Sequence, residues 1–277
     1  MRLNQAIAVT CLLCVSAVAA ADDDVLGCKF NAERAGGLDL TGVTKVLLRT
    51  GPGDLEVRGS PAAVRLEARG RACASTPELL ERITLTVRRE GDVAIVEAAV
   101  REEEKEIWVG TKYAYLNLGV ALPASLPVEA LDSSGDLKMT GLRSLKLQDS
   151  SGDIEIRNVA ELVDVRDSSG EIDIRDVHAV RIEDSSGDIE IESIKADVEV
   201  LSDSSGDIVI DNVDGKVAVR QDSSGEIKIV DVRGDVAIDV DSSGGIEVAR
   251  VDGDFLLGVD SSGGVQVDEV KGRVTLP

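Results

Sequence analysis

The tetrapeptide Asp-Ser-Ser-Gly occurs eight times, beginning at Asp132, Asp149, Asp167, Asp184, Asp203, Asp222, Asp241 and Asp260, at spacings of 17, 18, 17, 19, 19, 19 and 19 residues. A near-constant period with slight drift is the mark of a solenoid, in which each repeat packs only on its neighbours. Within a repeat, apolar and polar residues alternate. From Asp203 the apolar positions are Ile208, Ile210, Val213, Val217 and Val219; from Asp222 they are Ile227, Ile229, Val232, Val236 and Ile238. Period two predicts strands with one buried face, hence two short strands per coil. Gly135, Gly152, Gly170, Gly187, Gly206, Gly225, Gly244 and Gly263 follow the serine pairs. They close the first corner, where a positive φ costs only glycine little, and the Asp and Ser ahead of them can bond the local backbone. The last four repeats add Gly215, Gly234, Gly253 and Gly272 at the opposite corner, and the extra residue of the 19-residue repeats is expected there.

A single coil buries five aliphatic side chains, worth about 10 kcal/mol. Ordering its backbone costs about 1 kcal/mol or more per residue. One coil therefore cannot stand alone, and rungs must stack at about 4.8 Å, sharing apolar columns and hydrogen bonds. The expected fold is all-β: a β-solenoid of about eight 17- to 19-residue coils over residues 132–277, with aliphatic columns inside and acidic corners in line outside. Aromatic residues make up only 2% of the chain against 43% hydrophobic, so Val, Ile, Leu and Ala must fill the core.

The segment before the repeats, residues 22–131, reads as an irregular β-rich cap that hides the first edge. Gly53, Asp54, Leu55, Glu56 and Val57, followed by Val64 and Leu66, form a degenerate rung. Thr76 and Pro77 cap a short helix through Glu78 to Arg82. Strands are expected at Ile83 to Arg89, Val93 to Ala99 and Tyr113 to Leu122. Residues 1–21 read as a cleaved secretory signal: Arg2, an apolar run, then Ala19, Ala20 and Ala21 before Asp22. No other segment is long and apolar enough to span a bilayer. The mature chain is expected to be periplasmic or secreted, and Cys28 and Cys73, left as an even pair in an oxidising compartment, either join in one disulfide or stay as two buried thiols.

The chain carries 52 acidic and 30 basic residues, a net charge of −22. Such a surface repels nucleic acid and anionic headgroups. The Gly-Asp-Leu-Glu-Val segment at Gly53, the run Ala121, Leu122, Pro123, Ala124 and the recurring Asp-Ser-Ser-Gly-Asp-Ile units resemble the bacterial toast-rack, or adhesin-like, β-strand-repeat family, over nearly the whole mature chain. The resemblance implies an envelope or periplasmic β-solenoid whose biochemical function is undetermined, with no catalytic residues.

Chemistry is sparse. A serine nucleophile needs a base beside it, and His178 is the single histidine. Glycan clefts use aromatic platforms, and Trp108, Tyr113 and Tyr115 are nearly all that is available. Arg233, Gly234 and Asp235 spell an integrin-type tripeptide, but they occupy a corner that varies freely between repeats. The expected function is thus a non-catalytic exported scaffold or binding module, not an enzyme, with an envelope protein or a glycan as partner. A glycan-acting enzyme is the remote alternative.

Two surface features carry sharper expectations. The eight Asp that open the repeats stack into a ladder, with Asp136, Asp153, Glu171, Asp188, Asp207 and Glu226 beside it. Either local backbone N–H groups stabilise these carboxylates, or Ca²⁺ lies along Asp132, Asp149, Asp167, Asp184, Asp203, Asp222, Asp241 and Asp260, which would make the chain a calcium-stabilised adhesion or matrix protein. Calcium is the one cofactor considered. The second feature is a face that loses its charge: Lys146, Asp164, Arg181 and Glu199 give way to Ala218, Ala237, Leu256 and Thr275. Val209, Val230 and Ala249 lighten the other face. The residues Ala218, Ala237, Leu256, Val230 and Ala249 are the expected surface for self-association or a partner strand at the C-terminal rungs.

Overall fold

The computed structural model describes residues 28–101 and 112–277, so the expected signal segment and Trp108 lie outside the described residues. The described chain forms two twelve-stranded sheets and one short helix. Its first elements are β1 (Phe30–Asp39), β2 (Lys45–Arg49), β3 (Leu55–Ser60), β4 (Arg65–Ala74), α1 (Pro77–Arg82), β5 (Ile83–Glu90), β6 (Val93–Val100), β7 (Ala114–Pro123), β8 (Val128–Leu131) and β9 (Leu137–Thr140). From β8 onward the chain crosses from one sheet to the other at every corner, and each strand pairs in parallel with its equivalent one repeat away.

Alternation puts the same positions of every repeat over one another. In the first sheet Leu137, Ile154, Ile172, Ile189, Ile208, Ile227, Ile246 and Val265 form one register column. In the second, Leu145, Val163, Val180, Val198, Val217, Val236 and Phe255 form another. All but the terminal Val265 are at most 2% exposed. Both columns belong to one continuous apolar core between the sheets, as the stacking argument requires.

A third bend lies in each rung. Gly141, Asn158, Asp176, Ser193, Asn212, Asp231, Arg250 and Glu269, equivalent positions of successive repeats, all adopt left-handed conformation, with φ between 53° and 68°. Asn and Asp tolerate this region better than other non-glycine residues, and they supply four of the seven non-glycine examples, the others being Ser193, Arg250 and Glu269. The glycines of the opposite corner, by contrast, are not among the positive-φ residues; a side chain on Gly234 would strike the backbone of Gly215 in the rung below.

Relative to the 17-residue repeats, the longer ones do gain a residue in that corner, where three residues lie between Ile194 and Val198 against two between Val177 and Val180, and the 19-residue repeats gain a second one elsewhere. The register of the second sheet shifts between Ile182 and Glu183, where Glu183 pairs with Ser202 and Leu201 is passed over. From there on, two residues instead of one separate the last buried aliphatic from the next Asp, as between Val219 and Asp222 against Val165 and Asp167. This second insertion is a bulge ahead of the aspartate corner, a device that lengthens one strand without disturbing the flanking columns.

The degenerate rung is real, but its two halves are β2 and β3. β3 pairs in parallel with β9, and β2 with β8. The turn Thr50-Gly51-Pro52-Gly53-Asp54 stacks on Asp132-Ser133-Ser134-Gly135-Asp136, with Gly53 at φ 121° and its N–H donating to Ser134 O at 3.0 Å. Val64, expected inside this rung, is 83% exposed in the loop after β3, and Leu66 belongs to β4. The period-two count continued through a turn where the chain reverses into an antiparallel strand. β6 and β7 add the next rung outward on β2 and β3, and the antiparallel strands β4, β1 and β5 finish the two sheets. Arg34 on β1 donates to Ile83 O and Leu80 O, both at 3.0 Å, tying the ends of the two sheets together. The Thr76 side chain caps α1 by accepting from Leu79 N, as expected. Cys28 and Cys73 form a disulfide, with a Cα separation of 5.6 Å. No helix among the described residues is long and apolar enough to cross a membrane.

Candidate functional site

Each position of the Asp-Ser-Ser-Gly corner has its own task. The second serine of a repeat donates its hydroxyl to the carbonyl of the first serine one rung below: Ser169 to Ser150 at 3.1 Å, Ser186 to Ser168 at 3.1 Å, Ser224 to Ser204 at 3.0 Å and Ser243 to Ser223 at 3.0 Å. The glycine N–H donates to the second serine's carbonyl one rung on, as Gly187 does to Ser205 at 3.0 Å. The acid after the glycine faces solvent and accepts the backbone N–H of its counterpart in the next repeat. Glu171 N–H thus donates to Asp153 at 3.1 Å, Asp207 to Asp188 at 2.9 Å and Glu226 to Asp207 at 2.8 Å. This outer acidic column is the one that meets the backbone N–H groups.

The aspartate that opens each repeat points the other way. Asp132, Asp149, Asp167, Asp184, Asp203, Asp222 and Asp241 are at most 8% exposed, and the last four at most 2%. The expectation of an acidic corner outside is corrected here for these seven. Asp lies two or three residues from the last inward aliphatic, and the turn that follows returns its side chain to the interior. Their carboxylates stack one rung apart, where two full charges would repel by about 0.9 kcal/mol even in water. Burial is the first cause that lifts their pKa values. Asp132 is pushed up to about 7, opposed by the Thr50 hydroxyl and raised further by Asp149. Asp222 is also pushed up to about 7, by burial and then by Asp203 and Asp241. Asp167 and Asp203 rise to about 6 and the remaining three also rise, all chiefly through burial. The N–H groups of the following serines pull downward, yet only Ser205 N comes within hydrogen-bonding geometry, 3.3 Å from Asp203 Oδ1. Among the described residues no three His, Cys, Asp or Glu side chains are gathered so as to hold a metal ion.

The outer face of the first sheet is an ion network that runs across rungs. Arg157 reaches Glu155 at 2.6 Å and Asp173 at 3.1 Å, while Arg175 reaches Asp173, Glu190 and Glu192 at 2.7, 2.8 and 2.9 Å. Exposed pairs of this kind contribute at most about 1 kcal/mol each. A shallow groove of about 580 Å³ opens on this face, lined among others by Asp54, Glu56, Asn117, Lys138 and Glu155. The tripeptide at Arg233 is engaged within the solenoid: Arg233 pairs with Asp214 at 2.8 Å, and Asp235 with Lys216 at 2.8 Å. His178 is exposed, and its N–H closes a backbone bond to Val159 O.

The outer face of the second sheet changes along its length. Lys146, Asp164, Arg181, Glu199, Ala218, Ala237, Leu256 and Thr275 are one register column. Leu256 is 45% exposed, and Val240 and Val259, which stand one residue past the bulge at the position of Ser202, are 37% and 51% exposed. The sequence reading missed these two valines because a uniform repeat length hides a bulge. It also misplaced Val230 and Ala249. Both are 8% exposed and lie in the first sheet, in register with Asp211 and Asp268. They precede the left-handed residues Asp231 and Arg250, where the strand bends and in-out alternation breaks. Val209 stands in a different column, with Lys228.

Residues 81–275 match a family model described as Toastrack DUF4097. Among solved structures, a protein from Parabacteroides distasonis ATCC 8503, assigned provisionally as lipid-binding, aligns at 13% identity over 88% of this chain and 97% of its own, with a TM-score of 0.52. A provisional adhesin from Bacteroides fragilis NCTC 9343 aligns at 12% identity over 87% of this chain and 97% of its own, with a TM-score of 0.44. At these identities the likeness is one of fold. No curated protein sequence matches the chain significantly.

Proposed function

Because the chain belongs to the Toastrack family, we propose that it is a non-catalytic scaffold or binding module of the cell envelope that engages an envelope partner through the C-terminal part of its second sheet. Export rests on the leader-like first 21 residues and on the Cys28–Cys73 disulfide, a bond that persists in oxidising compartments. The observation that carries the reading is the outer column itself. Four rungs of alternating charge, with Arg181 and Arg220 both paired to Glu199, are followed by Ala218, Ala237 and Leu256, with Val240 and Val259 exposed on the strands of the last two. Charged side chains keep an outer sheet face solvated; a stretch that abandons them while the rest of the chain stays strongly acidic is suited to being covered. The hydroxyls of the second serines are spent on carbonyls of the rung below, which speaks against a nucleophilic role for them.

Position 256 and position 146 share one column at opposite ends, and this supplies the control. A photo-crosslinking residue placed at Leu256 in intact cells is expected to trap a defined adduct, and one placed at Lys146 is not. Leu256→Lys should abolish association while changing stability by no more than about 0.5 kcal/mol, since it alters only an exposed position. Equal adducts from both positions, or none from Leu256, would remove this surface from consideration.

A further inference from the structure

Seven carboxylates stand in line inside one corner of the solenoid, and among the described residues none of them is ion-paired with a base. The charged groups that act most on the ladder are acids, namely the adjoining aspartates, Asp188 beside Asp203, and Asp260 beyond Asp241, while Arg166, which borders an opening with Asp149, Asp167 and Asp184, is paired instead with Glu183 at 3.3 Å. At the capped end the neighbour is the Thr50 hydroxyl. Apart from Asp203 Oδ1, no carboxylate oxygen of the seven has a donor within hydrogen-bonding geometry. An ionised carboxylate only accepts hydrogen bonds, whereas a protonated one also donates. A column of buried acceptors without donors therefore lacks one ingredient, and protons supply it: a carboxylic acid on one rung donates to the carboxylate on the next, in a short charge-assisted bond.

We propose that the aspartate ladder is a shared-proton column in which alternate aspartates carry a proton donated to an ionised neighbour one rung away, so that the stability of the solenoid responds to pH close to neutrality. The direction follows from linkage. In the unfolded chain these groups titrate near 3.8, whereas in the fold Asp132 and Asp222 titrate at about 7 and Asp167 and Asp203 at about 6. A raised carboxylate pKa gives stability that is full below the unfolded value and is lost as pH rises through the folded one. The surface carboxylates paired with bases, such as Glu155 and Asp231, are shifted downward and lose their contribution only as the medium becomes strongly acidic. Between about pH 5 and pH 8 the ladder is left as the dominant carboxylate titration.

The test is thermal unfolding of the full chain in chelator-containing buffers from pH 5 to pH 8. The wild-type melting temperature should fall by roughly 5 °C or more over that interval. Asp222→Asn, which replaces a protonated acid by a neutral group of the same shape with its own N–H donor, should melt higher than wild type at pH 8 and show a shallower pH dependence. The infrared difference spectrum between pH 5 and pH 8 should contain a carboxylic-acid carbonyl band that weakens in this variant. Should Asp222→Asn fail to fold, Asp167→Asn and the wild-type spectrum decide. A flat wild-type profile with no such band overturns the proposal. So does a rise in melting temperature with millimolar Ca²⁺ at pH 8 that Asp222→Asn abolishes, because the ladder would then take a metal ion in place of its protons.

Discussion

Replacing Gly225 by alanine is expected to lower stability by at least about 3 kcal/mol and the melting temperature by roughly 10 °C. Two independent causes coincide. The residue sits at φ 136°, a region that side-chain-bearing residues rarely enter. A Cβ there would also be driven into the carbonyl of Gly206 in the rung below. The backbone cannot step aside, because Gly225 N–H donates to Ser243 O at 3.3 Å and Gly206 N–H donates to Ser224 O at 3.2 Å, so the corner is held from both rungs. A solenoid passes such damage to its neighbours, since each rung is stable only through the two it touches. Gly264→Ala is the matched control: its new Cβ would meet nothing within 4 Å and its φ is not in the positive region, so a change of no more than about 0.5 kcal/mol is expected. Urea unfolding of both variants checks this, and equal losses would show that the glycine corner is not what fixes the rung spacing.

Those glycines were legible in the sequence because a turn that needs a positive φ in every repeat needs glycine in every repeat. The core was legible for a related reason: Ile154, Ile172 and Ile189 occupy equivalent places in an alternating pattern, and burial of one implies burial of all. What alternation could not carry was anything that breaks it. The left-handed position from Gly141 to Glu269 resets the count within each rung, and for that reason Val230 and Ala249 were assigned outward when both are buried. Its own signal was available, since Gly, Asn, Asp and Ser fill that position through Asp231 and are residues that accept such a bend. The bulge ahead of Asp203 was hidden by counting whole repeats instead of the segments between fixed landmarks. The orientation of the opening aspartates ran against the ordinary rule that carboxylates lie outside unless paired, and no local pattern overrides that rule. The order of the first rungs was out of reach for a different reason. β2 and β3 precede β6 and β7 in the chain but lie between them and the repeats in the sheets, a long-range choice that periodicity does not encode.

Reduction of the Cys28–Cys73 disulfide should have an effect of similar size but confined to one end. The bond joins residues 45 apart in sequence, and closing a loop of that length stabilises a fold by about 4 kcal/mol in the chain-entropy model. It fastens the start of β1 to the end of β4, along which β1 pairs antiparallel from Phe30–Ala74 to Asp39–Arg65. β1 is the outermost strand of the first sheet, held to the rest by β4 alone within that sheet. Freed of the crosslink, it has no second strand beside it in its sheet and beyond β4 keeps only packing on β5 and α1 with the Arg34 bonds to Ile83 O and Leu80 O, and its departure would leave β4 as an open edge available to other chains. Because coils communicate only with adjacent coils, the remote repeats should not register the change. Cys73→Ser, or the reduced wild type, is therefore expected to speed amide exchange by a large factor over residues 30–39 and then 65–74, while Ile189–Ile194 keep their protection. Uniform loss of protection along the whole solenoid would show instead that the cap and the repeats unfold as one cooperative unit. Unchanged exchange over residues 30–39 would mean that Arg34 and the β1–β4 ladder suffice without the bond. The first outcome also ties the fold to its compartment, because a cap that loosens on reduction keeps the solenoid closed only where thiols stay oxidised.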